Sequence, residues 1–454
     1  MPESNNCPLL QTAIELNTMR CMKEITPIGI INWRNQNQPF GIKDLDRLGH
    51  IYAIGKTGTG KSTLLQNMAI SDFERGNGLC IIDPHGDLAE NILNYIPENR
   101  IKNVIYFNAT DIEFPIGFNP LHAIHPTQHN LVCSGLISTF KKIWVDSWGP
   151  RLEHILRFSI LTLLYYPHAT LLDIQPLLTD PLFRSKVLGY LIDPSVMRFW
   201  TNEYDKYPPA LKSEAIAPIL NKTGLLIASQ PLRNIIGQQC RSFNMEKVLD
   251  EGNILICNFS KGEIGEDASA LLGSILLTSI QSAALYRASY EAHKRTPFYL
   301  YVDEIHSFIT LSFADILSES RKYGLSVFLT HQYIEQLPEK IRSAIFGNVG
   351  TLISFRVGAA DAEYLAKEFH PVFNEEDLIN LPRYSMYLKL MIDGTTSRPF
   401  SATTVSVKEN NTSFKREIIA SSQKNYGKEK SKVENDILNK YHPGSITSNR
   451  TLFM

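Results

Sequence analysis

The amino-acid sequence predicts an α/β protein in which a doubly wound, mostly parallel β-sheet carries an inserted all-α domain. Three observations support this fold class. Short apolar runs alternate with helical patterns in residues 41–130, the alternation resumes in residues 251–405, and residues 131–250 between them are dominated by helical patterns. Such alternation is typical of parallel sheets whose two faces are covered by helices. The sequence therefore predicts one α/β domain built from two separated stretches of chain.

The elements before the insertion follow this alternation. His50–Ile54 is a short apolar run followed by glycine, which is typical of a buried parallel strand. Apolar residues at helical spacing predict a helix over Ser62–Phe73, which ends at nearby glycines. Leu79–Ile82 and Val104–Phe107 are the next predicted strands. Residues 1–40 show little periodicity and are predicted to form an N-terminal arm.

The insertion and the segments after it contain the remaining predicted elements. Within the insertion, helices are predicted over Leu152–Tyr165, Phe183–Leu191, Ser195–Tyr204 and Ala215–Leu226. After it, strands are predicted over Ile254–Phe259, Phe298–Val302, Ser326–Thr330, Thr351–Phe355 and Met386–Ile392. The polar residues 406–454 are predicted to be a disordered C-terminal tail that contains at most one helix, near Lys428–Lys440.

Composition excludes some classes of protein. The 454 residues are 43% hydrophobic and 20% charged, as in an ordinary globular protein, and the net charge is -1. Because there is no overall basic excess, contact with a nucleic acid would have to come from a local patch. No apolar run follows a basic stretch near the N-terminus, and the most apolar segment, Ile155–Tyr166, is too short to cross a bilayer. We expect a cytoplasmic protein without direct membrane insertion.

The strongest chemical signal is GKTGTGKS at Gly55–Ser62, which matches the phosphate-binding pattern GxxxxGK[ST]. Its glycines let the backbone turn tightly and point amide hydrogens at phosphate oxygens, and the following helix adds its positive end. Lys61 is expected to reach the β- and γ-phosphates of a nucleotide, and the Ser62 hydroxyl to ligate Mg²⁺. The residues predicted to bind ATP are Gly55, Lys56, Thr57, Gly58, Thr59, Gly60, Lys61, Ser62 and Thr63.

Hydrolysis of a bound nucleotide needs further groups, and two carboxylates follow the buried run Phe298–Val302. Ligands of open α/β sheets bind at the carboxyl ends of the strands. Asp303 is expected to hold Mg²⁺, mostly through water. Glu304 is placed to polarise the attacking water as a general base. The alternative interpretation is an acidic turn at the end of a strand.

Four other side chains are candidates with weaker support. Gln332 follows the strand Ser326–Thr330 and could contact the γ-phosphate or the water, or be an ordinary loop residue. Arg321 precedes that strand and lies too far along the chain to reach its own ATP. It is predicted to act as an arginine finger in a neighbouring subunit, with a solvated surface position as the alternative. Arg356 is the second finger candidate. Asp83 either orients the γ-phosphate region or forms a turn.

Several segments, in their order along the chain, resemble the HerA/FtsK superfamily of DNA-pumping ATPases, and above all its TraD/TraG-like conjugative coupling proteins of type IV secretion. The segments are HIYAIGKTGTGKSTLL, LCIIDPHGDL, GFNPL, YLYVDEIHSF, SESRKYGLSVFLTHQ and FGNVGTLISFRVGAADAEYLAKEF. The resemblance extends over roughly residues 40–405. It implies a RecA-like P-loop ATPase, usually a hexameric ring with ATP sites between subunits, that moves DNA through a central channel.

The resemblance also implies roles for individual residues and partners. Lys61, Ser62, Asp303, Glu304, Gln332 and Arg321 match functional positions of the family. ATP and Mg²⁺ are the implied cofactors, and the helical insertion is similar to the domain that faces DNA or its loading factors. Secretion proteins or a relaxase or nuclease are implied as protein partners. The family's usual transmembrane helices are not predicted here, so at most a peripheral place at a membrane complex is expected.

Three functions remain open at this stage: a DNA translocase, an ATPase that energises protein secretion, and a slow ATP-binding switch. The pair Asp303-Glu304 disfavours the switch, because a switch gains nothing from a well-placed base. Cations at the start of the insertion could contact DNA phosphates or form the solvated face of helices. They are Lys141, Lys142, Arg151 and Arg157.

Overall fold

The structure is a computed structural model that describes residues 24–122, 125–310, 313–407, 410 and 412–441. The chain divides into two compact units. The first contains the described parts of Met1–Tyr106, Met245–Asn258 and Ala283–Ile419. The second contains those of Phe107–Asn244, Phe259–Ser282 and Ala420–Met454. Each unit therefore combines stretches that are far apart in the chain.

The first unit is built around a sheet of 11 strands in the order β2-β1-β13-β10-β9-β3-β8-β7-β4-β6-β5. Strands β11 and β12 form a separate two-stranded ribbon. The strands are β1 (Ile25–Ile31), β2 (Gln38–Lys43), β3 (Ile51–Ile54), β4 (Gly78–Asp83), β5 (Val104–Asn108), β6 (Ile254–Asn258), β7 (Phe298–Val302), β8 (Leu325–His331), β9 (Thr351–Ser354), β10 (Ser385–Lys389), β11 (Met391–Ile392), β12 (Thr395–Thr396) and β13 (Phe400–Thr403).

One part of the sheet, which we call the parallel half, consists of β9, β3, β8, β7, β4 and β6, paired in parallel. Every residue of these strands is buried. Strands covered on both faces by other elements read as continuous apolar runs, which is why they were recognisable in the sequence. The prediction of a doubly wound, mostly parallel sheet is confirmed.

At the other end of the sheet from β5, the strands β10, β13, β1 and β2 pair antiparallel and form the antiparallel half. Its strands β1 and β2 cover Ile25–Ile31 and Gln38–Lys43, so the interpretation of residues 1–40 as an arm is wrong for residues 25–31 and 38–40. Proline and glycine interrupt both strands, which hides the strand pattern. β1 is held by pairing with β13, from the far end of the unit, and no local pattern reveals such a partner.

The described helices surround the sheet or build the second unit. In chain order they are α1 (Asp44–Arg47), α2 (Lys61–Arg75), α3 (Asp87–Ile92), α4 (His129–Ile143), α5 (Pro150–Tyr165), α6 (Ile174–Thr179), α7 (Pro181–Leu188), α8 (Pro194–Arg198), α9 (Pro209–Ala228), α10 (Gln230–Ile236), α11 (Met245–Asp250), α12 (Lys261–Ile264), α13 (Glu266–Tyr286), α14 (Phe313–Glu319), α15 (Glu339–Asn348), α16 (Ala359–Phe369), α17 (Glu375–Ile379), α18 (Lys415–Tyr426) and α19 (Lys430–Tyr441).

The second unit is helical and has an aromatic core. Trp200 is fully buried and donates its indole N–H to the Thr162 hydroxyl at 2.8 Å. Phe199 stacks on Phe158 with ring centroids 4.4 Å apart. Among the residues that the structure describes, one helical stretch, Glu266–Ser289, is long and apolar enough to cross a membrane, and 94% of its most apolar window is buried. Such burial is typical of a core helix.

The C-terminal region differs from its predicted disorder. Residues 415–441 form α18 and α19, of which the second corresponds to the helix expected near Lys428–Lys440. One apolar residue of each helix is buried, Ile418 in α18 and Val433 in α19. Within the second unit, Lys440 pairs with the buried Asp173 at 2.5 Å. The polar composition therefore gave no sign of α18, and a small number of specific contacts orders both helices.

Candidate nucleotide-binding site

The loop between β3 and α2 has the backbone of a phosphate-binding loop. Gly58 and Gly60 have φ values of 73° and 127°, where a residue with a Cβ would be strained. At Gly55, an added Cβ would lie 2.6 Å from the Cβ of Phe355, so the close approach of β9 also requires glycine there. The local sequence thus permits a tight turn whose amides remain available to a ligand.

The same loop is anchored on both sides by the neighbouring strands. The backbone N–H of Gly55 donates to the His331 carbonyl at the end of β8 at 3.2 Å. The N–H of Lys56 donates to the Arg356 carbonyl, just beyond β9, at 2.8 Å. Because β3 lies between β8 and β9, the loop is held at the carboxyl edge of the parallel half.

Lys61, the first residue of α2, closes the loop with its side chain. Its ammonium donates to the carbonyls of Gly55 at 2.6 Å and Lys56 at 3.2 Å. Burial lowers the pKa of Lys61, and the charges of Glu304 and Asp303 act in the opposite direction. Phosphate oxygens are stronger acceptors than neutral carbonyls, so this buried ammonium fits a triphosphate partner.

Asp303 lies directly after β7 and is nearly fully buried. Its N–H donates to the Ile82 carbonyl at 3.0 Å, and its Oδ1 accepts a hydrogen bond from the Thr330 hydroxyl. Burial raises the pKa of Asp303, and the neighbouring Glu304 adds to this effect. The exposed Ser62 follows Lys61 at the start of α2. A hydroxyl and a carboxylate are oxygen ligands of the kind that Mg²⁺ prefers, so these residues fit the predicted metal site.

Glu304 is held in an unusual backbone conformation and by contacts to both carboxylate oxygens. Its φ of 47° and ψ of 60° are in the left-handed region, which is costly for a side chain of this size. Its N–H donates to the Thr330 hydroxyl at 3.1 Å. Gln332 Nε2 donates to its Oε1 at 2.6 Å, and His306 Nδ1 lies 3.5 Å from its Oε2. The predicted base and the predicted sensor are therefore in direct contact.

Two histidines at this site were not predicted. His306 follows Glu304 on the short turn Ile305–Ser307, and its ring centroid lies 5.3 Å from that of His331. Tyr52 OH lies 3.2 Å from Nδ1 of His331. Burial lowers the pKa of His331 to about 3, so its imidazole is neutral at physiological pH. The motif VDEIH contained His306, but its relation to the glutamate depends on the left-handed turn at Glu304.

Asp83 at the end of β4 stabilises a turn. Its Oδ1 accepts from the His85 N–H at 2.8 Å, and its Oδ2 accepts from the Ala89 N–H in the first turns of α3 at 2.9 Å. Burial raises the pKa of Asp83. Both carboxylate oxygens are thus used by the backbone, which favours the turn interpretation over a role at the γ-phosphate.

The two arginine candidates lie at opposite ends of the parallel strands. Arg321 is exposed and belongs to the 3₁₀ turn Ser320–Tyr323, which precedes the first residue of β8. The seven residues of β8 separate this turn by about 20 Å from the carboxyl ends of the strands, where the phosphate-binding loop lies. Arg356 is also exposed but lies at the carboxyl edge, where its carbonyl binds Lys56. The structure therefore does not bring Arg321 together with Lys61 in one chain.

A further contact to the loop comes from the residues before β10 and was missed by the sequence reasoning. Arg383 Nε donates to the Gly58 carbonyl at 3.0 Å, and the Tyr384 N–H donates to the Thr59 carbonyl at 2.9 Å. No motif marks these residues in the sequence. Their relation to the loop arises because β10 lies beside β9 in the sheet.

The cations proposed as DNA contacts lie in the second unit. Lys141 and Arg157 share the carboxylate of Glu153 at 3.8 and 3.1 Å, and Arg151 lies 4.0 Å from a glutamate. Burial lowers the pKa of Lys142 to about 7. Within this unit, the paired cations favour the interpretation as a solvated helix face.

Comparisons with known proteins agree with this arrangement. A family model described as the TraM recognition site of TraD and TraG matches residues 297–369. No curated protein sequence matches the chain. The bacterial conjugative coupling protein TrwBdeltaN70, in an unbound form, is 16% identical over 88% of this chain and 92% of its own, with a TM-score of 0.63. TrwB with ADP and Mg²⁺ is 16% identical over 88% and 94%, with a TM-score of 0.61.

VirB4 of Thermoanaerobacter pseudethanolicus has a similar fold. It is 16% identical over 85% of this chain and 97% of its own, with a TM-score of 0.56. The class that fold and site define is the RecA-like P-loop fold with a helical second unit. Within that class the chain is similar to the TraD/TraG-like coupling proteins. The segment that matches their family model contains Asp303, Glu304, Arg321, Gln332 and Arg356.

Proposed function

We propose that this chain is an ATP-driven motor that hydrolyses ATP to ADP and phosphate. The observation that carries the proposal is the convergence of Lys61, the pair Asp303-Glu304 and Gln332 at one edge of the parallel half. They come from three different strand ends, and Gln332 Nε2 lies 2.6 Å from Glu304 Oε1. A buried ammonium beside two buried carboxylates is a costly arrangement that a bound phosphate and metal would stabilise.

In this proposal each residue has a defined task. The loop Gly55–Thr63, through the amides that follow Lys56, and the ammonium of Lys61 bind the phosphates, while Ser62 and Asp303 hold Mg²⁺. When bound, the metal supplies positive charge to the transferring phosphoryl group. Glu304 accepts a proton from the attacking water, and Gln332 orients its carboxylate. The structures of TrwB contain ADP with Mg²⁺, an ATP analogue and a GTP analogue, which supports a nucleoside triphosphate here.

Arg321 would complete the site of a neighbouring subunit. The turn that carries it lies at the amino edge of β8, opposite the loop, so it is out of reach of the nucleotide bound to the same chain. In a ring, each subunit presents one face to the opposite face of the next, which can bring the amino edge of one sheet to the site of another. We therefore propose a homo-oligomeric ring, with a hexamer as the expected form.

DNA is the proposed cargo, moved through the channel of the ring. The support is the similarity to TrwB, a conjugative coupling protein, together with the match to the model of TraD and TraG. Contacts to a DNA backbone need only a few cations in each subunit, because a ring multiplies them. The motor would act in the cytoplasm, peripheral to a membrane complex, with secretion proteins or a relaxase or nuclease as partners.

The test is ATP hydrolysis with and without DNA. At low salt, single- or double-stranded DNA should increase the rate of the full chain, and the increase should disappear as salt rises. Particle mass and shape with ATP and DNA should show a six-membered ring. An ATPase rate that neither form of DNA changes would contradict a DNA motor.

A second candidate is an ATPase that energises protein secretion, favoured by the similarity to VirB4 with its TM-score of 0.56. It predicts hydrolysis that is indifferent to DNA and is increased by a secreted protein or its signal segment. A slow switch is disfavoured by the placement of Glu304. Single-turnover hydrolysis on the scale of minutes or longer, without stimulation, would support the switch instead.

A further inference from the structure

We propose that Tyr384, backed by Arg383, is the platform on which the purine ring of the bound nucleotide stacks. This inference rests on the proposed function, because it concerns the nucleotide bound at the same loop. It adds a residue that contacts the base, whereas the residues assigned above contact phosphates, metal or water.

Tyr384 is attached to the phosphate-binding loop through its backbone and its neighbour Arg383. Its N–H donates to the Thr59 carbonyl at 2.9 Å, and its own carbonyl accepts from the Thr404 N–H at 2.8 Å. Arg383 Nε donates to the Gly58 carbonyl at 3.0 Å. The backbone on either side of the tyrosine is therefore fixed to the loop and to the end of β13.

The ring of Tyr384 lies beside the phosphate-binding loop and is partly accessible. Tyr384 Cδ1 lies 3.2 Å from the point that a Cβ on Gly60 would occupy, so the ring borders the loop at the start of α2. The Arg383 guanidinium lies 4.8 Å from the ring centroid and covers one of its faces. The side chain nevertheless remains 39% exposed. The ring is thus held in place while part of its surface stays accessible.

The backbone of Tyr384 is strained. Tyr384 has a φ of 66°, in the left-handed region, where an aromatic residue is a genuine outlier. Glycine or asparagine would meet the needs of such a turn with less strain. An aromatic side chain kept at such a position and exposed beside a ligand loop indicates that the ring itself is used, because strain of this kind collects at ligand clamps.

The chemistry of a nucleotide fits this place. Once the phosphates lie along the loop amides, the ribose and base extend beyond the phosphate chain, and a planar base is stabilised by an aromatic face. Stacking on an aromatic side chain tolerates different bases, because every base has a π-face. The platform therefore predicts tight binding of purine nucleotides with little discrimination between adenine and guanine.

The test is equilibrium binding of three probes to the full chain in the presence of Mg²⁺. The probes are the non-hydrolysable analogues ADPNP and GDPNP, and inorganic tripolyphosphate, which has no base. Tyr384→Ala should weaken binding of both nucleotides by about tenfold and leave tripolyphosphate unchanged. Tyr384→Phe, which retains the ring, should stay within about twofold of the wild type, because stacking needs the ring and not the hydroxyl.

Tyr333→Ala is the matched control, since Tyr333 is an exposed tyrosine, 44% accessible, that follows Gln332 at the same edge. It should change none of the three affinities. An equal loss of nucleotide and tripolyphosphate binding in Tyr384→Ala would show that the tyrosine only supports the loop and would overturn the inference. Unchanged nucleotide binding would overturn it as well. A wild-type chain that binds none of the probes would refute the proposed function itself.

Discussion

The parallel and antiparallel halves of the sheet differ in how they relate to the site. The chemical groups that local motifs predicted follow strands of the parallel half. They are Lys61 and the loop after β3, Asp303 and Glu304 after β7, and Gln332 after β8. The antiparallel half carries none of these, yet its residues Arg383 and Tyr384 hold the loop from the other side. One half carries the groups predicted to react, and residues beside the other half contact the loop that binds the predicted phosphate.

A buried cluster connects the two halves. Arg47 in α1 donates to both carboxylate oxygens of Asp72 in α2, at 2.8 and 2.9 Å. It also donates to Thr26 in β1 at 2.7 Å and to Tyr301 in β7 at 2.7 Å. The helix that begins at the phosphate loop is thereby tied to β1 in the antiparallel half and to β7, the strand that the two carboxylates follow. We therefore expect mutations in the parallel half to change turnover at the site, and mutations in the cluster that joins the antiparallel half to change its stability.

The largest effect is expected in the parallel half, at the loop. Lys61→Ala should reduce ATP turnover about ten-thousandfold, because the ammonium stabilises charge on the transferring phosphate. The thermal unfolding midpoint should stay close to that of the wild type, since the hydrogen bonds that the described residues give this side chain go to loop carbonyls. Lys340→Ala, at an exposed position, is the control. A normal rate in Lys61→Ala would refute the assignment of the site.

Glu304→Gln should lower kcat by about a thousandfold through loss of the general base. Binding of ADPNP should remain near the wild-type value, because the neutral side chain keeps the same shape and Gln332 can still contact it. Steady-state kinetics and calorimetry separate the two quantities. A variant with parallel losses in binding and turnover would mean that Glu304 positions the nucleotide instead of activating water.

Arg321→Ala should also reduce turnover by about a thousandfold, although the residue lies at the amino edge of β8. Mixing this variant with Glu304→Gln should restore hydrolysis at interfaces that combine an intact glutamate with an intact arginine. In an equal random mixture about a quarter of the sites have this combination. Activity is measured after co-assembly is verified by mass. A mixture that assembles but remains inactive would exclude action across subunits.

In the helix α1 that follows β2 of the antiparallel half, Arg47→Met should act on stability more than on chemistry. It removes the bidentate partner of the buried Asp72 carboxylate, which keeps Arg75 at 3.1 Å, and should lower the free energy of unfolding by up to about 3 kcal/mol. Denaturant unfolding measures the loss. The double variant Arg47→Met/Asp72→Leu should recover part of it, because no unpaired charge then remains. If the single and double variants were equally unstable, packing and not charge would explain the loss.

The smallest effect is expected from the pH dependence of His50, which precedes β3. Its Nδ1 accepts from the Val327 N–H at 3.2 Å and its Nε2 lies 3.1 Å from the Leu317 carbonyl, which requires a neutral ring. Burial lowers the pKa of His50 to about 4 from its ordinary 6.5. As pH falls below 6.5, the unfolded chain binds a proton before the folded protein does. Stability is therefore lost by up to about 1.4 kcal/mol per pH unit down to pH 4.

The measurement is the free energy of unfolding at pH 7 and pH 5 in the wild type and in His50→Asn. The slope should be shallower in the variant, whatever its absolute stability. His293→Asn removes an exposed histidine and should leave the slope unchanged. An identical slope in His50→Asn would show that the proton is taken up elsewhere.

How much the sequence could predict differs between the two halves. Strand β7 was predicted with its observed bounds, and β3, β4 and β8 within one residue at each end, because strands buried on both faces are continuous apolar runs. Strands β1 and β2 were missed. Their burial is only partial and proline interrupts them, so neither apolar content nor alternation marks them as strands.

The same division applies to the site. GKTGTGKS and Asp303-Glu304 were recognisable because each group of ligands is contiguous in the chain and follows a strand. The contact of His306 with Glu304 depends on a left-handed backbone at one residue, and composition does not reveal it. The contacts of Arg383 and Tyr384 join positions more than 300 residues apart, as the separation of 325 between Arg383 and Gly58 shows.

Local patterns were thus sufficient to predict a phosphate-binding loop, two carboxylates and a parallel sheet, because each of these depends on residues that are neighbours in the chain. The geometry of the site required the folded chain. Folding places β10 next to β9 and sets Tyr384 against the loop, and it leaves Arg321 at the amino end of β8, away from Lys61. Such placements follow from strand order, and strand order arises from packing and pairing between distant segments that no short stretch of sequence encodes.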